Sequence, residues 1–455
     1  MISKNFKRFI VILILISLVF AIACKDGIRA KKDVKVKNVI VLIGDGMGNQ
    51  QRRIAAIVEG KGDADHRLVC ESLTTSGVAF DHSLDAIVTD SAAAGTALAT
   101  GYKTNNGMIS MTPDGKSRTT ILEACKQRGK STGLITDVTI AHATPAVYGA
   151  HVKQRKMYSE IASQYLKNGI DFLMAGGTCD FLPKELKGKR KDKRHLINEF
   201  KKSGYTYISD LKSFNKLNPD KDKKVLGLFR YGSMDYEIDR NKAKEPSLAE
   251  MTNIAIKTLK KNPKGFFLMV EGGKIDWANH GHDVAGSVYN TIAFDKAVKV
   301  ALDFAKNDKH TLIIVVNDHE TGGMTITAGT NISQIRKLKA TSGKMAGMIK
   351  KDGSNVDEVF GKYAGIDNLT DKERKMVIDE ANGKLKVRDE LGYGGTIIAH
   401  IISKRTGVLF ATGGHSGTPV IVAAYGPGCQ IFDGFYDQTD IPKKIGKLLG
   451  IKFPF

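Results

Sequence analysis

Cysteine is scarce in this chain, and its arrangement argues against a cysteine-ligated zinc site. Only five cysteines occur in 455 residues, and no two form the C-x-x-C pair that such sites use. Four of them, Cys70, Cys125, Cys179 and Cys429, lie beyond the N-terminal segment. An exported chain could join these as disulfides, but four cysteines allow three pairings and the sequence does not select one.

Long hydrophobic runs are absent except at the N-terminus, where one extends from Phe9 to Phe20 behind a basic start. A transmembrane helix needs about 20 apolar residues, so this run is too short for a permanent anchor. The pattern predicts a signal peptide over residues 1–23 and a linker over 24–35. The "AIAC" stretch also resembles a lipoprotein cleavage site. Lipid anchoring through Cys24 and plain cleavage after Ala23 are both open, and both predict a periplasmic or cell-surface protein.

Acidic residues are outnumbered, with 48 Asp and Glu against 69 Lys and Arg, for a net charge of +21. This excess fits either a lysine-rich solvated surface or attraction of anionic substrates or an anionic cell surface. A nucleic-acid binder would cluster basic residues with aromatics on one element. The most basic stretch, "KGKRKDKRH" at 187–195, is instead polar and contains Asp. We therefore predict no nucleic-acid partner.

Continuous apolar runs alternate with helical patterns along the chain. Five runs read as buried strands, at 36–44, 131–137, 265–273, 310–319 and 418–426. Helical stretches such as 117–129 and 287–308 lie between them. Continuous rather than alternating apolar strands are typical of sheets covered on both faces. The sequence predicts an α/β fold with a doubly wound, largely parallel central sheet and helices on both faces.

Two polar stretches interrupt this alternation. The chain from about 325 to 405 reads as a helical or irregular insert, or cap, within a single catalytic domain over 36–455. The lysine-rich segment at 183–224 is expected to be peripheral. No internal repeat is present.

Three of the predicted strands end in carboxylates. The first runs into Asp45, the third into Glu271, and the fourth into Asp318 and His319. Ligands bind at the carboxyl ends of strands in open α/β sheets. Any one of these acids could be a helix cap or turn residue. Together they predict a divalent cation, because crowded carboxylates repel one another.

Further candidate ligands lie in two short motifs. In "EGGKIDWANHGHD", Asp276 and His280 are four residues apart, so on a helix they share one face and could hold one metal. An exposed ion pair is the alternative. In "TGGHSGTP", His415 is flanked by glycines that permit close approach of backbone and ligand, although a loop histidine is often structural.

A candidate nucleophile, Ser91, follows Asp90 in "TDSAAAGTALATG", a stretch that reads as a helix starting at the serine. No histidine stands nearby in sequence, and the stretch is not the G-x-S-x-G elbow of serine hydrolases. If Ser91 attacks a substrate, the group that activates it must come from elsewhere in the chain.

Six motifs, in order, resemble alkaline phosphatases and span residues 39–425. They are "VLIGDGMG", "TDSAAAGTALATG", "HATPAVYGAHVKQR", "VEGGKIDWANH", "NDHETGG" and "TGGHSGTPV". The resemblance implies a phosphate monoesterase that works through a phosphoserine at Ser91, with a homodimer as the assembly. It also implies two zinc ions and a third metal, normally magnesium. The zinc ligands would be Asp276, His280 and His415 at one ion, and Asp45, Asp318, His319 and Ser91 at the other. Asp45, Thr144 and Glu271 would hold the third metal.

The resemblance also implies that Arg155 binds the phosphate and that Asp90 orients this arginine. His142 and Trp277 stand where the best-known bacterial members have Asp and Lys, which predicts weaker retention of phosphate and leaves the third metal open. Two alternatives remain: a phosphodiesterase or sulfatase of the same superfamily, and a non-catalytic phosphate- or metal-binding surface protein.

Overall fold

The fold is organised by the apolar strands. The computed structural model describes residues 35–385 and 396–454; the predicted signal peptide and Cys24 lie outside these residues. The strands are β1 (Asn38–Gly44), β2 (Thr75–Phe80), β3 (Ser131–Thr139), β4 (Phe172–Gly176), β5 (Thr206–Ile208), β6 (Val225–Leu228), β7 (Phe266–Gly272), β8 (Thr311–Val316), β9 (Glu320–Thr321), β10 (Met324–Ile326), β11 (Val408–Phe410), β12 (His415–Ser416), β13 (Val420–Tyr425) and β14 (Gly434–Asp437).

Ten of these strands form one sheet in the order β14-β2-β13-β8-β1-β7-β3-β4-β6-β5. Every neighbouring pair is parallel except those of β13, which runs antiparallel to β2 and β8. All five predicted strands are present as β1, β3, β7, β8 and β13, which confirms the largely parallel sheet. Two small antiparallel pairs, β9 with β12 and β10 with β11, lie outside it.

Helices alternate with the strands. They are α1 (Asn49–Glu59), α2 (Ser91–Thr100), α3 (Ile121–Gln127), α4 (Ala143–Gly149), α5 (Tyr158–Lys167), α6 (Leu196–Lys202), α7 (Leu211–Phe214), α8 (Leu248–Leu259), α9 (Lys274–His280), α10 (Val284–Asp308), α11 (Ile332–Ile335), α12 (Ser342–Ala346), α13 (Val356–Ala364), α14 (Asp371–Ala381), α15 (Ile397–Thr406) and α16 (Asp440–Leu449). In the described ranges, none is both long and apolar enough to cross a bilayer.

Alternate residues of β1 enter two different cores. Ile40 and Leu42 pack in one buried cluster with Val288 of α10. Val41, on the other face of the strand, packs in a second cluster with Leu98 of α2. Since side chains alternate across a strand, helices cover both faces of the sheet, as the continuous apolar runs predicted.

The polar stretches at 325–405 and 183–224 contain more regular secondary structure than the sequence suggested. Between β10 and β11, the described part of the predicted insert contains the five helices α11 to α15. The lysine-rich segment at 183–224 includes β5, which forms one edge of the main sheet. That segment is therefore an integral edge of the fold. The limits of the catalytic domain and of the insert stay predictions.

Candidate metal centre and nucleophile

Three carboxylates meet at the carboxyl ends of neighbouring strands. In the sheet, β1 lies between β8 and β7, and Ile43 pairs with Val316 on one side and Glu271 on the other. Asp45 follows β1 directly, and Asp318 lies two residues beyond β8. Asp45, Glu271 and Asp318 are all fully buried. The convergence predicted from the strand ends is thus observed.

Helix α9 brings Asp276 and His280 onto one face, with His280 Nε2 3.3 Å from Asp276 Oδ1. The helix begins where Asp137 Oδ1 accepts the backbone N–H groups of Gly273 (2.7 Å) and Lys274 (3.0 Å). The sequence reasoning missed this role of Asp137, although it ends the predicted strand 131–137 and carries the same strand-end signal as Asp45.

His415, on β12, also lies beside Asp276 and His280. It pairs with Thr321 of β9. Its Nε2 lies 3.6 Å from Asp276 Oδ1 and 3.2 Å from His280 Nε2. The antiparallel pairing of two short strands therefore joins the "NDHETGG" and "TGGHSG" motifs, which are far apart in sequence.

The tautomers of His280 and His415 follow from their backbone partners. His280 Nδ1 lies 2.5 Å from the carbonyl oxygen of Gly413, and His415 Nδ1 lies 2.8 Å from that of Thr89. A carbonyl oxygen only accepts hydrogen bonds. In neutral imidazoles, both Nδ1 atoms therefore carry the proton and both Nε2 atoms are unprotonated. Two nitrogen lone pairs and the Asp276 carboxylate then face one another, an arrangement that a cation stabilises.

Neutral His319 also carries its proton on Nδ1. Thr321 Oγ1 donates to Asp276 Oδ1 (2.6 Å), so it accepts from His319 Nδ1 at 3.2 Å. The bare His319 Nε2 lies 3.5 Å from Asp45 Oδ1, 3.3 Å from Asp318 Oδ2 and 3.2 Å from Ser91 Oγ. Thr321 was also missed, because a threonine two residues after a histidine forms no recognisable pattern.

A third set of side chains lies near Oδ2, the second carboxylate oxygen of Asp45. Thr144 Oγ1, in the first turn of α4, lies 3.4 Å from Asp45 Oδ2. Glu271 Oε1 lies 3.9 Å from His142 Nδ1. Both Glu271 oxygens and His142 Nδ1 are buried without a hydrogen-bond partner among the described residues.

Burial and crowding change the acidity of these groups in the metal-free protein. The pKa of Asp45 is raised well above its usual range by burial and by the carboxylates of Asp318 and Asp276. Burial, with Asp276 next in importance, raises the pKa of Asp318 to about 8. The pKa of His319 is lowered well below its usual value by burial and by His415. Without a cation, burial and mutual repulsion therefore disfavour the ionised forms of Asp45 and Asp318.

The donor atoms fit the metals that the sequence implied. Asp45 Oδ1, Asp318 Oδ2 and both Glu271 oxygens are buried, and none has a hydrogen-bond partner in the part of the chain that the structure describes. Imidazole nitrogens with carboxylates suit zinc, and oxygen donors such as those of Thr144 and Glu271 suit magnesium. Three groups of side chains have donor atoms close enough together to hold a metal ion: Asp276, His319 and His415; Asp45, Asp318 and His319; and Asp45, His142 and Glu271.

Ser91 is the first residue of α2 and is almost fully buried. Asp90 caps this helix, with Oδ1 accepting the Ala93 N–H at 2.9 Å, and its Oδ2 accepts from Arg155 Nη1 at 2.9 Å. The small residues of α2 permit close packing, since a Cβ on Gly95 would lie 2.9 Å from Val147 of α4. The predicted helix start and the Asp90–Arg155 pair are both present.

Arg155 contacts His142, which in turn contacts Trp277. These are the two residues at which the sequence differs from the best-known bacterial members. Arg155 Nη2 lies 3.2 Å from His142 Nε2. The Trp277 indole packs edge-on against His142, with ring centroids 6.0 Å apart. Every sequence-predicted site residue therefore lies at this edge of the sheet or in contact with a residue that does.

A parallel α/β sheet with clustered aspartates and histidines around a buried serine defines a metal-dependent hydrolase. The sequence model of the alkaline phosphatase family matches residues 36–451. Alkaline phosphatases 3 and 4 of Bacillus subtilis (strain 168) are each 41% identical to the chain. Those matches cover 91% of this chain and 89% of the first relative, and 93% and 91% for the second. The chain belongs to the alkaline phosphatase family.

Solved structures agree with this assignment. The alkaline phosphatase of Thermus thermophilus is similar over 92% of both chains, with a TM-score of 0.83 and 29% identity. A histidine-to-glutamate variant of the alkaline phosphatase TAB5, with Mg bound in its M3 site, is similar over 92% of this chain and 99% of its own. Its TM-score is 0.67 at 28% identity.

Proposed function

We propose that this alkaline phosphatase hydrolyses phosphate monoesters through a phosphoserine at Ser91, with two zinc ions and a third metal, normally magnesium. One observation carries the proposal. The unprotonated Nε2 of His319 lies beside Ser91 Oγ and also beside the carboxyl groups of Asp45 and Asp318, so three metal-ligating side chains meet next to the candidate nucleophile.

The ligand sets are those that the family resemblance implies, and the contacts described above support them. Asp276, His280 and His415 would hold one zinc ion, and Asp45, Asp318 and His319 would hold the other beside Ser91. Asp45, Thr144 and Glu271 would hold the third metal. Mg in the M3 site of the TAB5 histidine-to-glutamate variant is the likeness on which we propose magnesium here. Bound cations of this kind lower the pKa of a neighbouring hydroxyl and neutralise the charge of a transferring phosphoryl group.

The chain's own groups define the chemical steps. Ser91 Oγ gives up its hydroxyl proton, attacks phosphorus and forms a P–O bond, while the bond to the ester oxygen breaks and the leaving group takes that electron pair and a proton to become the alcohol. Water then adds its oxygen to phosphorus, the bond between phosphorus and Oγ breaks, and Oγ takes up a proton as inorganic phosphate is released. Asp90 and His142 each accept one N–H of Arg155, which leaves the remaining guanidinium N–H groups for the phosphate oxygens. The backbone N–H groups that begin α2 favour the same anion.

A substrate panel tests this reaction class. Monoesterase activity is supported by the Asp90–Arg155 pair and the Thr144–Glu271 group, whereas superfamily diesterases and sulfatases vary the groups around the substrate. We expect kcat/KM for an aryl phosphate monoester to exceed that for the matching diester and sulfate by about 100-fold or more. Faster cleavage of the diester or sulfate would assign the chain to that class, and no hydrolysis of any ester would favour a binding protein.

Trp277 gives a prediction about product binding. Changing Trp277 to Lys adds a cation next to His142 and Arg155, so the inhibition constant for phosphate should be about tenfold lower than in Trp277→Leu, which also lacks the indole, at moderate ionic strength. Trp277→Leu, which removes the indole without adding charge, is the matched control and should not tighten inhibition. An inhibition constant in Trp277→Lys equal to that in Trp277→Leu would show that a cation at position 277 does not set phosphate retention.

The family also supports a homodimer and an exported protein, periplasmic or at the cell surface, with a lipid anchor through Cys24 as one form. Phe435 lies on β14 at one edge of the main sheet and is 77% exposed, and an exposed aromatic side chain at a sheet edge fits a subunit contact. Light scattering on the mature protein should give twice the chain mass; a monomer at micromolar concentration would contradict the dimer.

A further inference from the structure

Lys274, the first residue of α9, is an unusual lysine because it is only 5% exposed. Its Nζ lies 4.4 Å from the centroid of the Trp277 ring and 4.5 Å from that of Tyr236. Among residues 35–385 and 396–454, no carboxylate lies within ion-pair distance of this Nζ. The ammonium therefore lies against two aromatic faces in cation–π contacts, and the carboxyl groups of Asp137, Asp235 and Glu245 act on it from farther away.

The position of Lys274 on the helix makes this contact specific. Residues three apart on a helix are neighbours on its surface, so Lys274 and Trp277 stack along α9. The backbone of Lys274 is fixed as well, because its N–H donates to Asp137 Oδ1 at 3.0 Å. Both ends of the lysine are thus held, and the indole has a defined partner on one face.

The Trp277 indole also contacts a neighbour of Arg155, the residue that the proposed function assigns to the phosphate. Trp277 meets His142 edge-on at 75°, with 6.0 Å between ring centroids. His142 Nε2 accepts from Arg155 Nη2 at 3.2 Å. A continuous series of contacts therefore connects Lys274 to the guanidinium that the proposed function assigns to the phosphate.

We propose that Lys274 is a positioning residue for phosphate binding, acting by holding the Trp277 indole against His142 and so fixing Arg155. The proposal rests on the proposed function for the role of Arg155. It also revises the expectation for position 277: the cation absent there has a counterpart three residues earlier, but that cation acts on the indole.

The chain contains a single tryptophan, Trp277, so its fluorescence reports on this place alone. Lys274→Met removes the charge at similar length, and Lys274→Arg keeps a cation over the ring. Without substrate, Lys274→Met should shift the emission maximum and increase acrylamide quenching, with Lys274→Arg close to the wild type. On a monoester, Lys274→Met should raise KM and the inhibition constant for phosphate by about three- to tenfold, with a smaller change in kcat.

A second pair of variants covers the case in which Lys274→Met fails to fold. Tyr236→Leu removes one face of the sandwich and should move emission and phosphate inhibition in the same direction, by less. Tyr236→Phe keeps the face and should match the wild type. The proposal is overturned if Lys274→Met, or Tyr236→Leu in its place, leaves emission and quenching unchanged, or changes them without weakening phosphate inhibition.

These results separate this proposal from the proposed function. If the wild type hydrolyses no monoester, the function fails, while the emission measured without substrate still tests the packing of Lys274 on Trp277. Phosphate binding can then be followed by titration of the same emission. If the wild type is active and the lysine variants behave as the wild type does, only the positioning role fails.

Discussion

Replacing Ser91 with alanine should lower kcat for a phosphate monoester on the order of 10⁴-fold, as expected when an enzyme loses its nucleophile. Ser91 Oγ lies 3.2 Å from His319 Nε2, at the point where the second group of ligands converges. Alanine removes this oxygen and leaves the histidines, the carboxylates and Arg155 in place. Metal content and phosphate binding should therefore stay near the wild-type values.

The effect can be separated from a general disturbance of a buried hydroxyl. Ser287 is a matched control, because it is a fully buried helical serine whose Oγ has no hydrogen-bond partner among the described residues. Ser287→Ala should keep wild-type kcat. Mass spectrometry of enzyme quenched during turnover should find one phosphoryl group on the peptide containing Ser91. Retention of more than about a tenth of kcat by Ser91→Ala would exclude serine as the nucleophile.

The contact between Ser91 and His319 admits a second reading, that of a serine activated by a histidine base. Two features argue against it. Burial and His415 keep the pKa of His319 far below its usual value, which makes it a poor proton acceptor. Its Nε2 also faces the carboxylates of Asp45 and Asp318, as expected of a metal ligand. A histidine base would work without metal, so chelation distinguishes the two.

Removing metal should abolish activity and lower the melting temperature by about 5 °C or more, because ligands that bind only the folded state stabilise it by several kcal/mol. Asp45, Glu271, Asp276 and Asp318 are buried together, and in the chelated protein no metal cation offsets the cost of ionising them. Differential scanning calorimetry with and without a strong chelator measures the change. Adding zinc back, with magnesium, should restore both properties.

The fall in melting temperature on metal removal should become larger as pH rises. The pKa of Asp318 is about 8 in the folded metal-free protein, against about 3.8 unfolded, and that of Asp45 is also raised. The unfolded state releases these protons first, so the chelated protein loses stability as pH rises from about 4 to about 8. The gap between the two melting temperatures should widen from pH 6 to pH 8. Superimposable melting curves at both pH values would show that no metal is bound.

The strand ends and one helical spacing were readable from the sequence. Asp45, Glu271 and Asp318 follow apolar runs, and parallel strands bring such ends to one edge. Asp276 and His280 share a helix face by spacing alone. Thr144 and Arg155 came only from the family resemblance, because neither belongs to a pattern with its own chemical signal.

The supporting contacts were not readable, because they join distant parts of the chain through the order of the strands. Thr321 meets Asp276 across 45 residues, and Asp137 meets Gly273 across 136. Lys274 meets Tyr236 only once β6 and β7 are placed in the sheet. Short strands such as β2 and β14 were also missed, since they carry too few apolar residues to stand out from loops.

The proposed mechanism depends on paired zinc ions beside Ser91 in one buried cluster. Anomalous X-ray diffraction from a crystal of the active enzyme, at the zinc absorption edge, would locate these ions. We expect one peak among Asp276, His280 and His415, and a second among Asp45, Asp318 and His319 within bonding distance of Ser91 Oγ. An active crystal without anomalous scattering at these positions would contradict this mechanism.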